Sequence, residues 1–137
     1  MADTIRLIDY FYVMTPNKPG VGAAMLGELR RAGVNLLALS GFPSGRGAQI
    51  DFVPEDAAAF RAAAKQAKWK LTGPKRAFLI GGDDRAGAVG EILQKLADAK
   101  INVTAVDATC AGAGRFGALL WVAPRDVTRA ARALGAA

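Results

Sequence analysis

Two short turns carry the residues best suited to hold a small charged molecule: Asn17-Lys18-Pro19-Gly20 and Asp84-Arg85-Ala86-Gly87. Each lies between an apolar stretch and an amphipathic one, so its last residues open a helix whose first amides have no intrahelical partner. In the first turn these amides belong to Gly20, Val21 and Gly22; in the second they belong to Gly87, Ala88 and Val89. Such amides receive a carboxylate, helped by the helix dipole, and glycine lets an anion come close to the backbone. The Asn17 amide or the Asp84 carboxylate can accept from an ammonium, and Asn35 and Asn102 offer further polar partners near the following strand. The chemistry expected of these residues is non-covalent capture of a molecule that bears both charges.

Other chemistry is largely excluded. The chain has no histidine and a single cysteine, Cys110, which removes the commonest metal ligand and general base and any internal disulfide framework. Asp83 and Asp84 are adjacent in a glycine-rich turn, where a helix cap or solvated turn is expected and a catalytic pair is not. Cys110 is read as a small buried or half-buried hydrophobe. No catalytic residue, metal site or cofactor is assigned, and the chain is expected not to be an enzyme. The formal net charge of +6 comes from scattered Lys and Arg, which read as solvated helix faces, so nucleic acid is not the expected partner. No apolar run has the length of a membrane span, and the opening residues lack the regions of a signal peptide. Cytoplasmic residence is expected.

The elements that must position these turns emerge from an internal repeat. Residues 17–38 lie on residues 84–105 without a gap, placing Gly20 on Gly87, Leu29 on Leu96, Ala32 on Ala99, Asn35 on Asn102 and Ala38 on Ala105. Further on, Gly47-Ala48 falls on Gly117-Ala118 and Pro54-Glu55-Asp56 on Pro124-Arg125-Asp126. Residues 7–14 and 77–80 read as strands. Val21, Met25, Leu29 and Ala32 recur at helical spacing, as do Val89, Ile92, Leu93, Leu96 and Ala99. Asn17 or Asp84 is expected to cap these helices. Residues 34–39 and 101–106 give second strands. Turns at Ser44-Gly45-Arg46-Gly47 and Gly112-Ala113-Gly114-Arg115 lead to third strands at 49–53 and 118–122, and alanine-rich helices follow. Residues 69–72 form a closing strand before a Gly73-Pro74 break. The second copy has only Gly135-Ala136-Ala137 after its last helix, so its fourth strand is missing or its place is filled by another segment or chain.

The expected fold is therefore α+β: two tandem ferredoxin-like βαββαβ units, residues 1–73 and 74–137, with antiparallel sheets and helices on one face. Asn17-Lys18-Pro19-Gly20 and Asp84-Arg85-Ala86-Gly87 resemble the turn that opens the first helix of ACT domains, and Gly33-Val34-Asn35-Leu36 and Lys100-Ile101-Asn102-Val103 resemble that family's entry into its second strand. Ala86 departs from the family's proline. The resemblance implies a free-standing tandem ACT protein, a non-enzymatic regulator that binds an amino acid where two units meet, against the turns and the second-strand residues Asn35, Leu36, Asn102 and Val103. Exposed sheet edges add the expectation of a homodimer.

Two rival patterns occur in the sequence. Gly112-Ala113-Gly114-Arg115-Phe116-Gly117 matches a dinucleotide-binding glycine pattern by letter, but a strand follows where that motif needs a helix. An RNA-binding ferredoxin-like domain needs stacking rings on its third strand, and the first copy has Ala48 and Ile50 there. A ligand-free interaction module remains the alternative.

Overall fold

The apolar alternation that marks the first strand runs further than its sequence signal. In the computed structural model, which describes residues 3–137, β1 spans Thr4–Pro16 and is followed by α1 Val21–Arg31, β2 Leu36–Ser44, β3 Gly47–Pro54 and α2 Ala57–Gln66. The second copy supplies β4 Thr72–Asp83, α3 Ala88–Asp98, β5 Val103–Gly112 and β6 Arg115–Val122. A single 3-10 turn, Pro124–Asp126, then leads into α4 Val127–Leu134. The strands hydrogen-bond in the order β2-β3-β1-β4-β6-β5.

Two compact units divide this chain. One is Asp9–Lys75; the other joins the residues up to Ile8 to Arg76–Ala137. β1 and β4 therefore each contribute to both, whereas a boundary between residues 73 and 74 keeps the start of β1 with the first half.

In the Asp9–Lys75 unit the order is β2-β3-β1-β4, with Phe11 opposite Phe52 and Leu39 opposite Phe52 on its other side. Phe11, Phe52 and Phe60 are almost fully buried and meet with ring centroids 5.2 to 5.3 Å apart, and Trp69 stacks on Phe52 at 5.7 Å. Leu29 and Met25 of α1 join this core, as the helical spacing requires. Asp56 caps α2, its carboxylate accepting from the Ala59 amide at 3.1 Å, which satisfies one of the helix's free donors.

In the other unit the order is β1-β4-β6-β5. Here the missing fourth strand is supplied: residues 4–8 of β1 occupy the place beside β4 that a closing strand would take. Ile5 packs in the core with Phe78, Ile80, Ile92, Leu96, Leu120 and Leu134. The segment after α4 joins it, since the Leu7 amide donates to the Ala137 carbonyl at 3.1 Å and the Ala137 amide donates to the Ile5 carbonyl at 3.0 Å.

Three local expectations are corrected. Gly73-Pro74 is not a break, because β4 begins at Thr72 and continues through both residues to Asp83; Pro74 lies near the strand's start, where a missing N–H interrupts the ladder least. Trp69 is outside the strand and serves the core. Cys110 is exposed, on edge strand β5.

Candidate functional site

Both predicted turns end in a left-handed glycine. Gly20 has φ +88° and Gly87 has φ +81°, and each is the residue preceding the first helical turn, with no side-chain cap on either helix. Asn17 and Asp84 therefore do not cap, contrary to expectation. The cap position falls on the glycine itself, three residues after Asn17 or Asp84, and a residue with a Cβ would be strained there.

At α1 the Val21 amide reaches the Lys18 carbonyl at 3.4 Å and the Ala24 amide donates to the Gly20 carbonyl at 2.9 Å. Between them, the amides of Gly22 and Ala23 have no backbone acceptor among the described residues. No heavy atom lies within 4 Å of where a Cβ on Gly20 or Gly22 would stand, so the space beside these two glycines is open. The first turn of α1 carries no acidic residue. Lys18 is exposed and forms no ion pair among the described residues. Residue Pro16 pairs with Gly47, which brings the β2–β3 hairpin tip to this same end of the unit. Arg46, on that tip, is also exposed and without an ion pair among the described residues. In the sequence Arg46 is a hairpin-turn residue only; the hairpin register against β1 places it here.

The second turn has the same backbone and the opposite electrostatics. Arg85 donates from Nη1 to Asp3 Oδ1 at 3.1 Å and to the Asp83 carbonyl at 2.9 Å, and from Nη2 to Asp3 Oδ2 at 3.1 Å and Glu91 Oε2 at 2.7 Å. These bonds, Asp3 first, raise the guanidinium further above its ordinary range. Arg115, on the β5–β6 hairpin, donates to Asp83 Oδ1 at 2.8 Å and holds that carboxyl below its ordinary value. The Asp84 amide donates to the Gly114 carbonyl at 2.8 Å. Its carboxylate accepts from the Cys110 thiol, which raises the thiol's pKa. Glu91 already places a negative charge in the first turn of α3, where the dipole favours one.

The remaining predicted residues do not join their turns. Within the Asp9–Lys75 unit, α1 is 11 residues long and so rises about 16 Å. Leu36 pairs with Pro54, while Ser44 pairs with Gly47 at the turn's end of the hairpin, which puts Asn35 and Leu36 at the far end of the unit. Asn35 is also engaged: its Nδ2 donates to Glu55 Oε2 at 3.0 Å and its carbonyl accepts from the Glu55 amide at 2.9 Å. Val103 pairs with Val122 and Asp83 with Arg115, so Asn102 and Val103 are likewise at the far end from residues 84–89. An open trough of about 420 Å³ lies against Asn35 and Leu36.

On the sheet face away from the helices, Asp51 is 4% exposed. It stands opposite Tyr12 on β1 and Ser40 on β2 and accepts from Gln49 Nε2 at 2.8 Å. Burial raises its pKa above the ordinary value, and Gln49 and the Lys75 charge oppose that shift. No cluster of three or more His, Cys, Asp or Glu suited to a metal ion occurs among the described residues. No helix among them is long and apolar enough to cross a membrane.

No family model matches the chain, and no curated protein matches it. Solved structures do. Protein BT0572 from Bacteroides thetaiotaomicron superposes with a TM-score of 0.81 at 14% identity, over 96% of this chain and 88% of that one. The ligand-free regulatory subunit of aspartate kinase from Thermus thermophilus gives 0.63 at 17% identity, over 96% and 94%. The corresponding subunit from Thermus flavus gives 0.59 at 16%, over 98% and 94%. At these identities the likeness establishes the fold: this chain has the tandem ACT-type fold of those regulatory subunits.

Proposed function

We propose that this chain, built on the tandem ACT-type fold, is a regulatory protein that binds a small molecule, an amino acid by the resemblance of its turns, with the ligand's carboxylate at the start of α1. One contrast carries the choice of turn: the first turn leaves two amides, Lys18 and Arg46 uncommitted, whereas Arg85 and Arg115 are already bonded to carboxylates in the second. An anion entering the first turn meets donors and positive charge with nothing to displace. At the second it must compete with Asp3, Asp83 and Glu91. The residues 17–22 are therefore the proposed carboxylate site, with Asn17 as an acceptor for the ammonium, and 84–89 serve a structural role. The fold shared with regulatory subunits of aspartate kinase supports a regulator over an enzyme.

A thermal-shift series against the twenty amino acids tests this. A specific ligand raises the midpoint by mass action in proportion to the logarithm of its concentration, and Gly22→Val removes the shift of a ligand whose carboxylate is held at the turn. If no amino acid moves the midpoint, the ligand reading fails.

A ligand-free interaction module is the second reading, favoured by edge strand β2. Its nine residues carry no charge, and Leu37, Leu39 and Phe42 are exposed along it, although edges in solitary domains are ordinarily blunted by charge. We propose that a second copy of the chain covers this edge in a homodimer, under either reading. An RNA-binding role is disfavoured, because Gln49 and Asp51, not aromatic rings, stand on the face of β3 away from the helices.

A further inference from the structure

The trough at the far end of α1 is formed by the last two turns of that helix and the entry to β2. Leu26, Leu29, Val34 and Leu36 give it an apolar floor, and Arg30 and Asn35 also line it. Two features distinguish it from an ordinary stretch of surface. Leu26 is 38% exposed although it adjoins the buried Leu29, so the floor is open to solvent. Two opposite charges also stand beside that floor without a counter-charge. Arg31 is paired with Glu28 at 2.6 Å, but Arg30 meets no carboxylate among the described residues. Glu55 is bonded to Asn35 at 3.0 Å, and it meets no cation among them.

Arg30 and Arg31 both lie in the last turn of α1, where the dipole favours basic residues. Beyond the dipole, the trough brings together a cation without a counter-charge, a carboxylate one hydrogen bond away and aliphatic surface beside them. We infer that this trough is a second ligand position, specific for an α-amino acid with a branched aliphatic side chain. The ligand carboxylate pairs with Arg30. Its ammonium pairs with Glu55, which Asn35 holds in place. Its side chain covers Leu26 and Leu36. The volume of about 420 Å³ is in the range of small-molecule sites. This inference rests on the reading of the chain as a small-molecule binder, but the charge it uses on α1, Arg30, is in the last turn of that helix, whereas Gly20 and Gly22 are at its start.

The test is an amide-resolved NMR titration of the full chain with L-leucine, 4-methylpentanoate, 3-methylbutylamine and L-aspartate. L-Leucine is expected to shift the amides of Leu26, Gly33, Asn35 and Leu36 in a saturable way. The acid lacking the amine and the amine lacking the acid should each bind about tenfold more weakly or worse, because each leaves one charge unmatched. Arg30→Gln and Glu55→Gln should weaken L-leucine by a similar factor without changing the thermal midpoint of the free protein, and Gly22→Val should leave the shifts of Gly33, Asn35 and Leu36 intact. Equal binding of 4-methylpentanoate and L-leucine would overturn the assignment, as would the absence of any shift at these four amides. Shifts confined to residues 17–23, lost in Gly22→Val and kept in Arg30→Gln, would support the first turn and overturn the trough.

Discussion

Arg85 meets Asp3 side by side, each terminal guanidinium nitrogen 3.1 Å from its own carboxylate oxygen. The pair fastens the start of β1 to the turn before α3. Gly82 makes room for it, since a Cβ there would collide with the Asp3 carboxylate and the Phe116 ring. Arg85→Gln is expected to lower the thermal midpoint in dilute buffer, and the difference should shrink near about 1 M salt, where exposed charges are screened. Calorimetry of both proteins at the two salt levels checks this; a salt-independent difference would assign the loss to packing.

Ile5 ties the same segment to the core from below. It is 8% exposed among Phe78, Ile80 and Leu120, so Ile5→Ala should cost about 2 to 4 kcal/mol in urea unfolding, the range for a buried aliphatic truncation. Hydrogen exchange should quicken at Leu7 and Ala137, whose amides form the bonds that this segment exchanges with residue 137.

Gly20 and Gly22 separate stability from binding. Gly20→Ala places a Cβ at φ +88° and should destabilise by about 1 to 2 kcal/mol. Gly22→Ala lies inside α1 with open space around it, and should stabilise by up to about 1 kcal/mol. The bulkier Gly22→Val should retain helix content by circular dichroism while abolishing carboxylate binding at the turn. Unchanged affinity in Gly22→Val would remove the proposed site.

Asp51 gives a pH signature. Its folded-state pKa is raised, chiefly by burial, so between the ordinary aspartate value and the folded value the native state binds more protons than the unfolded one. Stability therefore falls as pH rises through that window. Asp51→Asn keeps an oxygen for Gln49 but carries no charge to bury, so the fall should vanish and the variant should be the more stable at neutral pH. Midpoints measured from about pH 4 to pH 7 decide the matter.

The proposed homodimer uses the β2 edge. Leu39→Lys puts a solvated charge on a strand that has none and should convert a homodimer to monomer in light scattering, with the fold preserved. A wild-type mass of one chain at every concentration would remove the homodimer.

The repeat made much of this protein legible before any coordinates. Leu29 and Leu96 are buried because helical spacing puts them on the inner face, the hairpins turn at Gly45 and Gly114 because those positions need positive φ, and Asp56 caps α2 because its carboxylate is adjacent to free amides. All of these depend on neighbours within a few residues, and local sequence encodes them. The two turns were legible as helix starts from the same local pattern, but their left-handed Gly20 and Gly87, in place of caps by Asn17 and Asp84, were not.

The sequence by itself thus determined the elements, their order and the doubled ACT-type plan. Tertiary structure decided which strand each unit borrows, which turn is free and where the asparagines go. Residues 4–8 complete the unit of the second copy because ladder bonds and a shared core, both distant in sequence, select their partner. Lys18 and Arg85 read alike in the chain, yet only Arg85 finds Asp3, which lies 82 residues away. Asn35 was grouped with Asn17 by family pattern and is separated from it by the full rise of α1. Charge compensation and separation in space depend on what folding brings together, and spacing along the chain does not report them.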